Sequence, residues 1–294
     1  MPAPAAVWIP RVLGIVGSGQ LGAGIAQVAA TNGVSVVLCD ASSSALSRAV
    51  GGISRNLGRL VEKGVLRDED AKAAEQRLTT SCDLDALSGA EYVVEAVPED
   101  EDLKKSIFRQ LDQVVKPDGI LASNTSSISI TRIAAATQRP EQVVGMHFMN
   151  PVPVMPLVEI VRGIATSDAV FAATKGLAEH LGKTVSISLD RPGFIVNRIL
   201  MPMINEAFFV LMEGVGTAED IDKGMKLGTA HKMGPLHLAD FIGLDTCLSI
   251  MRVLQAQTGD PKYRPCPLLV QYVDAGWLGK KVYKGVYTYA KPLD

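Results

Sequence analysis

The stretch from Val12 to Gly22, VLGIVGSGQLG, constrains this chain more than any other. An apolar run ends at Gly17 and passes at once into G-x-G-x-x-G. The residues that follow, LGAGIAQVAATNG (21–33), read as a helix closed by Gly33 as its C-cap. Gly17 permits a tight turn, Gly19 lets a pyrophosphate approach the backbone, and Gly22 lets the helix pack on the strand. A helix N-terminus offers N–H groups and a positive dipole end to phosphates, so Gly17, Ser18, Gly19, Gln20, Leu21 and Gly22 are candidate ligand contacts. Alone the motif is weak, but its context strengthens it. SVVLCD (35–40) is a second apolar run and ends on Asp40, eighteen residues after Gly22. A carboxylate there can accept hydrogen bonds from both hydroxyls of an adenosine ribose and repels a 2′-phosphate. ASSS follows it, with no arginine directly after. The stretch therefore predicts a dinucleotide site that takes NAD rather than NADP.

The same grammar continues. EYVVEAV (91–97), ILASN (120–124), VVGMHF (143–148) and LVEIVRG (157–163) are further apolar runs. Helix-like stretches lie between most of them; in DEDLKKSIFRQLDQVV (100–115) apolar residues fall at 103, 107, 108, 111, 114 and 115. Apolar strands alternating with helices predict an α/β Rossmann-type domain with a mainly parallel sheet covered on both faces. Between the second and third runs lies an insert at about 42–80, longer than one crossover needs. In it Leu46, Val50, Ile53, Leu57 and Leu60 repeat at three and four, while Arg48, Arg55, Arg59 and Lys63 fall on another stripe. That basic stripe is either a solvated face or a site for an anionic ligand such as a phosphate-bearing tail. From about Arg191 the pattern becomes all-helical. FIVNRILMPMINEAFFVLMEG (194–214) is opened by Pro192-Gly193, and Thr217 with Asp220 starts another helix. The chain thus divides into 1–190, an NAD-binding Rossmann domain with a helical insert, and 191–294, a smaller all-helical domain. So apolar a helical domain is expected to complete itself by pairing with a second copy, as a homodimer.

Bulk properties exclude other classes. A net charge of −2 argues against a nucleic-acid binder, and no run of eighteen apolar residues predicts a membrane span. Cys39, Cys82, Cys247 and Cys266 are scattered without a C-x-x-C pair, which points to a reduced, cytoplasmic protein. MPAPAAVWIPR does not read as a secretory signal. His231 and His237 flank Gly234-Pro235 without further ligands, so no metal is expected, and His180 in TKGLAEHLGK reads as a surface residue.

One stretch resists a purely structural reading. In GMHFMNPVPVMPLVEIVR (145–162), His147 and Glu159 stand among residues suited to a core. A buried carboxylate needs a partner, and a histidine is suited to exchange a proton near neutral pH. SNTSS (123–127) ends the preceding strand, and ligands of open α/β sheets gather at carboxyl ends of strands. Ser126 and His147 are therefore expected near the nicotinamide, with Glu159 orienting the imidazole.

With these residues in view, nearly the whole chain resembles the L-3-hydroxyacyl-CoA dehydrogenases, and among them the bacterial 3-hydroxybutyryl-CoA dehydrogenases. GSGQLGAGIAQ, VVEAVPEDEDLK, ASNTSSISIT, GMHFMNPVPVMPLVEIVRG, PGFIVNRILMPMINEA, MGPLHLADFIGLDT and AGWLGKKVYKGVYTY carry the likeness in order and spacing. The resemblance implies that His147 is the catalytic histidine and Glu159 its partner. It matches Ser126 and Asn197 to residues bonding the substrate's 3-oxygen and thioester region, and Asn150 to a residue near the nicotinamide. Glu99, Lys104 and Lys281 match cofactor contacts. Lys63 matches a CoA contact, and Asn56 stands where some members have a serine contact. Met149 replaces a usual phenylalanine, and Arg191 a serine or asparagine; both bear on acyl-chain preference rather than on the reaction. The implied activity is NAD-dependent interconversion of (S)-3-hydroxyacyl-CoA and 3-oxoacyl-CoA, on short chains such as acetoacetyl-CoA. The competing readings are a non-catalytic NAD-binding structural or sensor relative, and a dehydrogenase of free hydroxy or sugar acids.

Overall fold

The structure is a computed structural model that describes residues 8–290. Residues 1–7, the start of the segment read above as no signal peptide, and 291–294 lie outside the described residues. The chain divides into two compact units, 1–191 and 192–294.

In the first unit, β1 (Val12–Val16) leads through the glycine loop into α1 (Gln20–Thr31), followed by β2 (Ser35–Cys39). Gly33 adopts a φ of +86° just past α1, where a side chain would be strained. The insert contains α2 (Ser43–Glu62) and α3 (Asp68–Gln76) and then a strand, β3 (Leu78–Ser81). Ser42 caps α2 by accepting from the Ala45 N–H. Next come β4 (Tyr92–Glu95), α4 (Glu101–Val114), β5 (Ile120–Ser123), α5 (Ile130–Ala134), β6 (Val143–Phe148), β7 (Leu157–Arg162), α6 (Asp168–His180) and β8 (Thr184–Leu189). The eight strands form one sheet in the order β3-β2-β1-β4-β5-β6-β7-β8. Every pairing is parallel except β6 with β7. Residues 149–156 are too few for a crossover helix, so the chain can only return beside itself antiparallel.

Two strands lack the apolar signature of the others. β3 (LTTS) and β8 (TVSISL) lie at the two edges of the sheet, where one neighbour is missing and polar residues are tolerated. The insert is accordingly not wholly helical. α2 buries Leu46, Ala49, Ile53 and Leu57 against the core, whereas Val50, read as part of that stripe, is exposed. Leu13, Ile15, Val36, Leu38, Val94, Val144 and Ile160 fill the core from the strands. Burying each such side chain contributes about 1.5–3 kcal/mol.

The second unit consists of α7 (Val196–Met212), α8 (Ala218–Gly228), α9 (Pro235–Ile242), α10 (Leu244–Thr258) and α11 (Pro267–Asp274), with a looped end. Thr217 caps α8 by accepting from the Asp220 N–H. Its own core gathers Met201, Phe208, Leu236, Leu244, Leu248, Met251 and Leu269. The loop is clasped by two buried carboxylates. Asp240 accepts from the N–H groups of Val286 and Tyr287 and from the Tyr289 hydroxyl, and Asp222 accepts from the Tyr287 hydroxyl and from two N–H groups opening α9. Among the described residues no helix is long and apolar enough to cross a membrane.

Candidate active site

The glycine loop is shaped for a phosphate-bearing ligand. Gly17 has a φ of +100°, and a Cβ there would meet the Ala96 carbonyl oxygen at 2.6 Å. A Cβ on Gly22 would collide with the Gly17 carbonyl, so the helix can sit this close only with glycine there. Gly19, by contrast, faces open space: a Cβ at that position would meet nothing within 4 Å, and this is the space a pyrophosphate needs. Gly19 opens α1 without a side-chain cap, and first-turn N–H groups have no acceptor within a helix. Asp40 is tied to the loop: the Ser18 N–H and hydroxyl each donate to its Oδ2 at 2.8 Å, and the Ser42 N–H donates to Oδ1 at 2.9 Å. Burial pushes the Asp40 carboxyl up, but these bonds and the nearby Arg48 outweigh it and hold the group below its ordinary range. Ionised Asp40 beside an open glycine cradle fits the adenosine half of NAD.

His147, near the carboxyl end of β6, and Glu159, near the amino end of β7, sit directly opposite each other in the antiparallel β6–β7 register. Opposed residues project to the same face, and His147 Nδ1 lies 2.9 Å from Glu159 Oε2. The imidazole is 9% exposed and the carboxylate 0%. With Glu159 as the acceptor of this contact, the imidazole carries its proton on Nδ1.

The SNTSS loop is organised by Glu99. Its Oε1 accepts from the Thr125 hydroxyl at 2.6 Å, from the N–H groups of Ser126 and Ser127 at 2.9 and 3.0 Å, and from the Ser127 and Ser126 hydroxyls at 3.0 and 3.2 Å. Burial raises the Glu99 pKa, but Lys104 and these donors overcome it and the net shift is downward. Lys104 turns inward: its side chain is 1% exposed, against 35% for Glu99. Of this pair, the carboxylate is therefore the one with surface to offer a cofactor. Asn150 is exposed just after β6, and Met149 before it is half-buried. Two further residues, Asn124 within the SNTSS stretch and Asp190, are not among the site residues read from the sequence. Asn124 accepts from the Phe148 N–H at 2.8 Å, joining the SNTSS loop to the strand that bears His147. Asp190 accepts from the Ser129 hydroxyl and the N–H groups of Ile130 and Thr131, anchoring α5 after that loop. Only the pairing of those groups in space reveals either role.

On α2, Arg48, Arg55, Asn56, Arg59 and Lys63 are all exposed, and Asn56 donates to Gln27 Oε1 at 3.3 Å. In the second unit, Asn197 is buried in the first turn of α7, and Lys281 forms an ion pair with Asp245 at 2.6 Å. His180 is exposed, with Nε2 2.9 Å from the Asn32 carbonyl oxygen. Among the described residues no group of three or more His, Cys, Asp or Glu side chains is placed to hold a metal ion.

A mainly parallel sheet with a glycine cradle, an ionised acid beside it and a buried His–Glu contact fits an NAD-dependent oxidoreductase. The family model for the 3-hydroxyacyl-CoA dehydrogenase NAD binding domain matches residues 12–190, and that for the C-terminal domain matches 193–289. The chain belongs to the 3-hydroxyacyl-CoA dehydrogenase family, and its cofactor is NAD. It is 56% identical to a 3-hydroxybutyryl-CoA dehydrogenase of Bradyrhizobium diazoefficiens, over 96% of this chain and 97% of that one. A Mycobacterium tuberculosis protein of the same name is 45% identical over 96% and 99%. The crystal structure of (S)-3-hydroxybutyryl-CoA dehydrogenase from Ralstonia eutropha superposes with a TM-score of 0.93 at 50% identity, covering 96% of this chain and 100% of that one.

Proposed function

We propose that the protein interconverts (S)-3-hydroxybutyryl-CoA and acetoacetyl-CoA, with His147 and Glu159 as its acid–base pair. The observation that carries this reading is the 2.9 Å contact between His147 Nδ1 and a fully buried Glu159. With Nδ1 committed to Glu159, Nε2 is the nitrogen that takes the proton from the 3-hydroxyl. The carboxylate, which cannot be solvated by water at that depth, stabilises the imidazolium formed. Bound NAD supplies the hydride acceptor. The Ser126 hydroxyl turns its one proton from Glu99 Oε1 to the 3-oxygen as negative charge develops there. Glu99 and Asn150 contribute to the cofactor site. Gly17 to Gly22 and Asp40 hold its pyrophosphate and adenosine ribose. The exposed cationic stripe of α2, with Lys63 and Asn56, receives the phosphates of CoA, and this separates a CoA ester from a free acid as substrate.

NADH oxidation with acetoacetyl-CoA, compared with acetoacetate, tests the reading. Turnover of the thioester alone is the expected result. Turnover of the free acid at equal efficiency, or undiminished rate in His147→Gln, refutes it. Relatives named for the four-carbon thioester support this chain length. The second unit leaves Ile199, Met212 and Val215 exposed, which supports a homodimer formed through it; light scattering on the purified protein decides the mass. Four scattered cysteines support a cytoplasmic setting.

A further inference from the structure

A buried charged pair behind the SNTSS loop has no part in the chemistry above. Glu95 closes β4 and is 0% exposed; Lys104, in the first turns of α4, is 1% exposed. Lys104 Nζ donates to Glu95 Oε1 at 2.6 Å and to the Val97 carbonyl at 3.2 Å, and lies 3.5 Å from Glu99 Oε2. Glu95 Oε1 also accepts from the Val97 N–H at 2.8 Å, and its Oε2 accepts from the Ser123 hydroxyl at 2.7 Å. One carboxylate therefore ties together the end of β5, the loop leaving β4 and the helix beyond it.

Buried ion pairs are a poor source of stability, because desolvating two charges offsets their attraction, and apolar side chains of similar volume serve as well. What the pair does accomplish is directional. Lys104 stands between two carboxylates, close to Glu95 and farther from Glu99. Glu99 in turn gathers five donors from Thr125, Ser126 and Ser127 on one oxygen. Without the charge of Glu95, the ammonium is drawn toward Glu99 Oε2, and the carboxylate turns away from the loop it holds. The Ser126 hydroxyl, whose bond to Glu99 is the longest of the five, is displaced with it.

We propose that Glu95 is a positioning residue for the reaction: by restraining Lys104 it sets Glu99, and through Glu99 the Ser126 hydroxyl. This rests on the role given to Ser126 above. Glu95→Gln is the decisive variant, because the amide keeps the side chain's shape. Its oxygen can accept from Lys104 and Val97 and its NH₂ can donate to the Ser123 oxygen, so the charge is lost and one hydrogen bond reverses direction.

In assays with NADH and acetoacetyl-CoA, kcat of Glu95→Gln is expected to fall by roughly 10- to 100-fold, the scale of a small misplacement at a reacting centre. KM for the thioester, whose CoA part binds elsewhere, should change by less than about threefold. Glu95→Gln/Lys104→Met removes the misdirected ammonium and should recover several-fold in kcat over the single variant, a rescue that a merely structural role does not produce. A kcat for Glu95→Gln within about twofold of wild type, or a double variant slower than the single one, overturns the proposal. If Glu95→Gln does not fold, Ser123→Ala removes one anchor without stranding a charge. A kcat loss at unchanged KM is then expected, and a wild-type kcat overturns the role. Wild-type protein that fails to turn over acetoacetyl-CoA removes both this role and the proposed function. Turnover in wild type that is unaffected by Glu95→Gln removes the positioning role alone.

Discussion

Replacing Glu159 by glutamine should lower activity without lowering stability. The amide oxygen can still accept from His147 Nδ1–H, so the tautomer and ring orientation survive and the charge alone disappears. At the observed 2.9 Å and an effective dielectric constant of about 20, a carboxylate attracts an imidazolium by about 6 kcal/mol. A neutral hydrogen bond supplies about 1 kcal/mol of that in the variant. The imidazolium is only partly formed in the transition state, so roughly 3–5 kcal/mol of stabilisation is lost, or about 10²–10⁴ in kcat at 1.36 kcal/mol per decade. The stability term has the opposite sign. Glu159 is 0% exposed, and removing a charge from that depth relieves a desolvation cost. The first thermal transition of Glu159→Gln should match wild type or rise, by about 2–4 °C for each kcal/mol relieved. Steady-state kinetics and a calorimetric scan on the same preparation measure both. A kcat within about threefold of wild type would show that the pair only packs.

Three further outcomes follow from the site and its surroundings. Asp40→Ala should raise KM for NADH by about tenfold or more, and should narrow the preference over NADPH, since the group that bonds the ribose and repels a 2′-phosphate is gone; an unchanged NADH/NADPH ratio counts against the role of Asp40. In the native protein only Cys82 should react rapidly with a thiol reagent at pH 8, because Cys39 and Cys247 are buried and their thiols are pushed up to about 11 and about 12, and Cys266 is also buried and raised; two or more fast thiols among the four cysteines would contradict the described burial. Asp40 and Glu99 both titrate below their ordinary values in the folded chain, so the stability they contribute is fully present above the unfolded carboxylate range, near pH 4, and is lost as pH falls through the folded values. Urea midpoints measured from pH 6 down to 3 should therefore fall less steeply for Asp40→Asn/Glu99→Gln than for wild type, and an equal slope would refute the linkage.

Much of the fold was legible because most of the strands are buried on both faces and must be apolar along their whole length. VLGIV, SVVLC, YVVE, ILAS, VVGMHF and LVEIVR all announce themselves in this way. LTTS and TVSISL did not, because an edge strand faces water and keeps its polar residues. The glycine loop was legible for a different reason: its constraint is on the backbone, and only glycine meets it at Gly17 and Gly22.

The charged side chains show where local reading ends. A lysine at position 104, in the first turn of a polar-flanked helix, looks like any solvated lysine. Its burial depends on Glu95, which closes β4 and accepts from its ammonium. Lys281 likewise found Asp245, 36 residues away in sequence. The sequence by itself determined the alternation of strands and helices, the cradle and the residue types able to move a proton, since these depend on local periodicity and on backbone freedom. Only the tertiary structure decided which polar groups meet. The antiparallel return at residues 149–156 sets His147 opposite Glu159, and parallel alignment of β4 with β5 brings Glu95 to Ser123. Register and burial are properties of paired elements, and no single stretch of chain carries them.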